Sequence, residues 1–182
     1  MNKILTGIFV SAAGLTFSAA AIAATPVAKA TYDAAEDTAT STYKISRAKC
    51  DSVTGVPKDV CIEEAKAALV RTQADANAVY KGTLKASTDA RKEIADADYS
   101  VAKAKCGAKT GNAKDVCVKE AKATQIAATA DAKADKKVIE ARVDARDDKL
   151  DAEYKVAKEK CDALAGAPKD TCVASAKAQF GK

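Results

Sequence analysis

The sequence contains no histidine and no tryptophan, and only 4% of its residues are aromatic. It also shows no nucleophile elbow, no glycine-rich phosphate loop and no C-x-x-C pair, which are the short motifs typical of hydrolases, nucleotide enzymes and redox proteins. A nucleic-acid interface usually combines a basic face with interleaved aromatic side chains, and no segment does so here. We therefore expect no catalytic residue, no cofactor, no metal site and no nucleic-acid partner.

Strongly apolar segments are scarce beyond the N-terminus. The stretch from Ile4 to Phe17 follows the basic Lys3 and precedes the small-residue sequence A-I-A that ends at Ala23. That order is typical of a cleaved secretory signal peptide, which we assign to residues 1–23. A membrane anchor is the alternative, but polar and small residues dilute the apolar run. We expect a mature chain without a transmembrane segment, exported to a bacterial periplasm.

One segment occurs three times without gaps, at residues 43–67, 99–123 and 154–178. Its pattern is Y-x-[IV]-x-[KR]-x-K-C-x4-G-x2-K-D-x-C-[IV]-x2-A-K-A. Helix-forming residues flank both cysteines, while glycine lies between them in every copy, joined by proline in the first and third copies. Glycine suits the residue that ends a helix, and proline suits the first turn of the next one. Each copy therefore predicts two antiparallel helices joined by a tight turn.

The cysteines of each copy flank that turn, with ten residues between them. Six cysteines allow fifteen pairings, and the repeat selects the pairing within each copy. Structural disulfides suit an oxidising compartment, whereas a zinc site would favour shorter cysteine spacings or histidine partners. Thiol–disulfide redox chemistry is the remaining alternative. The predicted disulfides are Cys50–Cys61, Cys106–Cys117 and Cys161–Cys172.

Small and apolar residues between the hairpins recur every eleven positions, which is an α-helical period. Val118 to Lys160 contains neither glycine nor proline, so we predict one helix of about 45 residues there. Cys61 to Cys106 also predicts a single long helix, with a kink or bulge at Gly82. Shorter helices should run from Thr25-Pro26 to Cys50 and from Pro168 to Lys182. The eleven-residue rows are Cys117, Ala128, Ile139, Leu150 and Cys161, with Ala121, Ala132, Val143 and Tyr154 beside them.

These elements predict an all-α fold in which residues 24–182 form one elongated antiparallel bundle of disulfide-clamped hairpins, with coiled-coil-like packing. We expect the Cys106–Cys117 clamp at one end of two long helices and the other two clamps at the opposite end. Long helices that break near their middles, giving three hairpins in a row, are the alternative. The predicted seam is mostly alanine, with Tyr43, Tyr99 and Tyr154 as bulky packing residues.

The density of alanine, lysine and aspartate behind a signal peptide resembles the helical periplasmic segment of TolA-type cell-envelope proteins. It also resembles uncharacterised alanine-rich secreted proteins of Gram-negative bacteria. The eleven-residue Ala/Lys pattern is similar to late-embryogenesis-abundant (LEA) and apolipoprotein-type helices, which implies membrane contact through a shallow apolar face. We expect a non-catalytic structural or interaction protein of the cell envelope that binds another protein or an envelope surface. The alternatives are an LEA-like stress protectant of membranes or proteins and a periplasmic redox protein.

Overall fold

The computed structural model describes residues 26–182, of which about 91% are helical, and no strand occurs among them. The predicted all-α fold is thus confirmed. Short 3-10 turns at Cys50–Ser52 and Cys106–Ala108 continue the first and third helices. The predicted signal peptide, residues 1–23, and Thr25, at which the first helix was predicted to start, lie outside the described residues. The helices are α1 (Pro26–Lys49), α2 (Val56–Lys81), α3 (Leu84–Lys105), α4 (Gly111–Cys161) and α5 (Ala167–Phe180).

The prediction of one long helix from Cys61 to Cys106 is wrong, because the chain reverses direction at Gly82. Gly82 ends α2 in the left-handed conformation, with φ of 57°, and donates its backbone N–H to Ala78 at 3.0 Å. Thr83 then begins α3, since its hydroxyl accepts the backbone N–H of Ala86 at 3.1 Å. A left-handed glycine followed directly by an N-cap threonine makes a two-residue helical turn rather than a kink.

This reversal also overturns the predicted placement of the clamps. Helices α2 and α3 pack antiparallel along their length, with ion pairs from Arg71 to Asp98 at 2.7 Å and from Lys105 to Glu64 at 2.8 Å. The turns of the first and second copies therefore lie at the same end of the molecule. The Cys50–Cys61 and Cys106–Cys117 disulfides are neighbours rather than markers of opposite ends.

The long helix predicted from Val118 to Lys160 is confirmed and is longer than expected. Helix α4 has 51 residues, which corresponds to about 77 Å at 1.5 Å per residue. Its N-terminal part packs against α3, where Arg91 pairs with Asp135 at 2.8 Å. Its C-terminal part packs against α5, where Lys182 donates to Asp151. Each helix packs mainly against the next one along the chain, so the fold is elongated.

Alanine and cysteine make up the buried apolar core of the described residues. Alanine lets helices approach closely but removes little apolar surface from water, so each contact stabilises the fold only slightly. Helix propensity and the disulfides must therefore supply much of the stability. The buried apolar residues are Ala39, Cys50, Ala65, Ala67, Ala74, Ala86, Ala90, Ala95, Cys106, Ala121, Ala132, Cys161 and Ala176.

Candidate functional site

The six predicted site cysteines form three disulfides within the copies, joining Cys50 to Cys61, Cys106 to Cys117 and Cys161 to Cys172. The Cα atoms of each pair lie 5.6 to 5.7 Å apart, within the usual range for a disulfide. The first cysteine of each pair is fully buried and the second is half-buried. Because thiol–disulfide exchange requires access to a sulfur atom, this burial favours a structural role.

An aspartate–lysine ion pair crosses the turn in the first and third copies. Lys58 and Arg47 both donate to Asp51 at 3.0 Å, and these hydrogen bonds, with Lys58 the larger contributor, lower the pKa of Asp51. Likewise the Lys169 ammonium lies 2.8 Å from Asp162 and lowers the pKa of that carboxyl. These exposed pairs connect the two sides of the turn and add little stability.

The second copy has glycine at the position that aspartate occupies in the other two. A Cβ atom added to Gly107 would lie 3.4 Å from Cγ2 of Val56, the first residue of α2. Gly107 therefore lets the second turn approach the first one closely. The sequence shows the substitution, but only the reversal at Gly82 explains it.

The three repeat tyrosines are half-buried packing residues, as predicted. The ring of Tyr154 lies 6.2 Å from the ring of Phe180 in α5. The ammonium of Lys122 in α4 lies 5.1 Å above the ring of Tyr99, a cation–π geometry. Tyr43 lines a small groove between α1 and α2. None of these contacts requires a ligand.

A pair of stacked tyrosines that the repeat pattern did not single out joins the far ends of α1 and α2. The ring centroids of Tyr32 and Tyr80 lie 4.9 Å apart. They border an open groove of about 510 Å³ between the two helices, where the side chain of Val79 is largely exposed. No motif marks this pair, because both tyrosines lie outside all three copies.

The most unusual surface of the molecule lies in the middle of α4. All residues from 137 to 153 are exposed, although helices elsewhere in the described chain bury one face. We call residues 137–153 the unpacked segment. Three of its side chains, which we call the apolar row, are Ile139, Val143 and Leu150, with exposures of 43%, 40% and 37%.

The apolar row continues the buried face of α4. Ala132, which is fully buried, and Cys161 are covered by the helices that pack on either side of the unpacked segment. At 100° per residue, each side chain of the row points within about 20° of the direction of Ala132. The row was predicted from its eleven-residue spacing, but the spacing did not indicate that this part would remain uncovered.

Most charged residues beside the apolar row are separated by sign. By the same helical geometry, one side carries Glu140, Asp144, Asp147 and Asp151, and the other carries Arg142, Arg146 and Lys149 together with one acid, Glu153. Some of these charges are paired within the chain, as in Lys136–Glu140 at 2.8 Å and Arg146–Asp147 at 3.0 Å. The unpacked segment therefore presents an apolar centre between an acidic and a basic flank.

Other kinds of site find no support within residues 26–182. No group of three or more histidine, cysteine, aspartate or glutamate residues in that range could hold a metal ion. None of the helices described is both long enough and apolar enough to cross a bilayer. No family model, no curated protein and no solved structure matches the chain. The functional assignment therefore rests on the structural features described above.

Proposed function

We propose that this chain is a non-catalytic structural and interaction protein of the bacterial cell envelope, with the unpacked segment of α4 as its binding surface. The observation that carries the proposal is the run of exposed residues 137–153 with the apolar row at its centre. A helix that buries no face is marginal in water on its own. Here packed, disulfide-clamped hairpins hold both of its ends, which keeps the segment ordered and available.

The energetics of the apolar row suit a reversible contact. Burying one large aliphatic side chain is worth about 1.5–3 kcal/mol relative to leaving it exposed. Part of each side chain is already shielded, so a partner gains only a fraction of that amount from each residue. The flanking charges add little affinity, but they favour partners of complementary pattern and reject others.

The location in the cell envelope is proposed from the predicted signal peptide and the paired cysteines together. A signal peptide at residues 1–23 would bring the chain to a compartment in which disulfides persist. Expression of the full chain in a Gram-negative host should release a periplasmic protein that begins near residue 24 and has no free thiol. A protein that stays in the cytosol with reducible, unpaired cysteines would contradict this placement.

Photo-crosslinking inside cells tests the binding surface. We would replace Val143 with p-benzoylphenylalanine and, as the matched control, Ala141, which lies about 160° away around the same helix. Light should give an adduct from position 143 and none from position 141. Absence of any adduct from position 143, in cells where the protein is folded and exported, would contradict the proposal.

An LEA-like protectant that binds membranes is the second candidate, favoured by the exposed apolar row and its eleven-residue spacing. Against it, α3 and α5 cover the same face of α4 on either side of the row, so a flat bilayer would meet those helices first. Co-sedimentation with vesicles containing anionic lipid distinguishes the two. Binding that Val143→Asp abolishes and Ala141→Asp preserves would favour the protectant.

A further inference from the structure

The apolar row lies at the bottom of a recess bordered by two helix ends. Cys106 lies opposite Cys117, and Asp96 lies opposite Gln125. Continuing that antiparallel register places Leu84, the first residue of α3, near Ile139. At the other side, the residues after α5 reach α4 where Lys182 meets Asp151. The recess is the space over α4 between these two positions, and it is about 18 Å long at 1.5 Å per residue.

The size of the recess decides what can reach the row. An α-helix with its side chains is about 10–12 Å across. At the commonest helix-packing angle, near 50°, such a helix occupies about 13 to 16 Å along α4. A single helix therefore fits, whereas a sheet, a second layer of helices or a flat lipid surface would meet the ends of α3 and α5.

A helix that enters the recess must have no other helix packed around it. Within residues 26–182, the unpacked segment of α4 is the longest stretch in which every residue is exposed. Two copies of this chain could therefore cross so that each unpacked segment lies in the recess of the other. The same apolar row would then be covered on both copies, as a two-fold interface requires.

The flanking charges support the same arrangement and fix its direction. When two copies cross at an acute angle and run in the same direction, the acidic flank of one faces the basic flank of the other. When they run in opposite directions, acidic flanks face each other. Like charges disfavour the second arrangement, and opposite charges favour the first by small, salt-dependent amounts.

We propose that the unpacked segment binds a second copy of this chain, so that the protein forms a crossed, same-direction homodimer through the apolar row. This inference rests on the proposed function and names the partner of that binding surface. The contact is small, because only three large apolar side chains from each copy take part. Interfaces below 1,200 Å² are typically weak and transient, so we expect a Kd between roughly 10 µM and 1 mM.

Sedimentation equilibrium of the exported, disulfide-bonded protein tests the dimer. Across about 10 µM to 1 mM, the average mass of the wild type should rise from near the monomer mass towards twice that mass. Val143→Asp should remain monomeric at every concentration, while Ala141→Asp, the same change on the opposite face, should dimerise as the wild type does. Helix content measured for all three proteins shows whether a variant has lost its fold.

A charge exchange tests the direction of crossing. Arg146→Asp should weaken dimerisation at least threefold, because it places acid opposite acid in the same-direction arrangement. Adding Asp147→Arg to Arg146→Asp again places a basic residue of one copy opposite an acidic residue of the other. The double variant should therefore recover much of the affinity. An opposite-direction dimer would not show this recovery, and that result would overturn the proposed arrangement.

The outcomes separate this inference from the proposed function. A wild type that stays monomeric at 1 mM, or a dimer that Val143→Asp leaves intact, overturns the homodimer. If the crosslinker at position 143 then joins the chain to a different protein in cells, the binding surface stands and its partner is that protein. If neither dimer nor adduct forms, both proposals fail.

Discussion

Gly107 and Val56 bring two disulfide-clamped turns into contact. The Cα of Gly107 approaches the side chain of Val56 so closely that an added Cβ would lie 3.4 Å from Cγ2 and 3.5 Å from Cγ1. Both distances are ordinary van der Waals contacts, so a methyl group fits but a longer side chain would have to displace Val56. This contact joins the α1–α2 hairpin to the α3–α4 hairpin at their clamped ends.

Replacing Gly107 by alanine should leave stability unchanged or raise it by about 0.5 kcal/mol, since the methyl group fits and the unfolded chain loses freedom. Gly111→Ala is the matched control, because Gly111 has φ of 55° with open space around it. There the left-handed backbone disfavours a side chain, and we expect a loss of about 1 kcal/mol. Urea unfolding measures both. A larger loss at Gly107 than at Gly111 would contradict this account.

Thr83→Ala should destabilise the chain by about 1 kcal/mol, because it removes the hydroxyl that accepts the N–H of Ala86. Thr83→Ser keeps the hydroxyl and should retain most of the stability. Thermal or urea unfolding of the two variants checks the effect. An equal loss in both would indicate that packing of the threonine methyl group, rather than the cap, stabilises the turn.

Removing the third clamp should unfold only the C-terminal end. Helix α5 has 14 residues and packs mainly against α4, and a helix of that length is marginal without support. A clamp of this loop size contributes roughly 3 kcal/mol. Hydrogen exchange of Cys161→Ala/Cys172→Ala should show loss of protection in residues 167–180.

Residues 26–135 should keep their protection in that variant. The matched double variant, Cys50→Ala/Cys61→Ala, should instead lower the stability of the unit formed by α1, α2, α3 and the start of α4. Retention of full protection in α5 without its disulfide would show that Tyr154, Phe180 and the ion pair to Asp151 suffice to hold it.

Acid should weaken the turns of the first and third copies. The pKa of Asp51 is lowered from its ordinary value of 3.8 by Lys58 and, next, Arg47. Because the pKa is lower in the folded state, the ion pairs of Asp51 contribute their full stabilisation above about pH 3.8. That stabilisation is lost as the pH falls through the lowered pKa. Asp51 is exposed, so the effect is small.

The melting temperature of the wild type should therefore fall below pH 4 more steeply than that of Asp51→Asn, measured from pH 6 to pH 2 at low salt. The two curves should converge at the acid end, where the wild-type carboxyl is protonated and its pairs are lost. Parallel curves over the whole range would indicate that Asp51 has the same pKa in the folded and unfolded chain.

The features of the fold that depend on local sequence could be predicted. Helix formers, turn glycines and paired cysteines recur in each copy, so the hairpins and the pairing Cys50–Cys61, Cys106–Cys117 and Cys161–Cys172 could be read from the repeat. The uninterrupted helix around Val118 to Lys160 followed from the absence of breakers. Local propensities agree with the fold in all these places.

The turn at Gly82 was missed because glycine inside a helix costs only about 1 kcal/mol and is compatible with a kink. The missed signal was the neighbouring Thr83, since glycine followed by an N-cap residue is the signature of one helix ending and another beginning. The Gly107–Val56 contact depends on the reversal at Gly82, and the exposure of the apolar row depends on where α3 begins and α5 ends. An eleven-residue period looks the same whether or not another helix covers it.

The unpacked segment also acts as a rigid spacer that sets the relative orientation of the two halves of the protein. One inserted residue would move the α5 hairpin by about 1.5 Å along α4 and rotate it by about 100° around that axis. Eleven inserted residues would move it by about 16 Å but leave it within about 20° of its original direction. Cys117 and Cys161 are 44 residues apart, which is four such steps. Over evolution, a molecule of this kind can change the length of α4 in steps of eleven residues while the hairpins at its two ends keep their relative orientation.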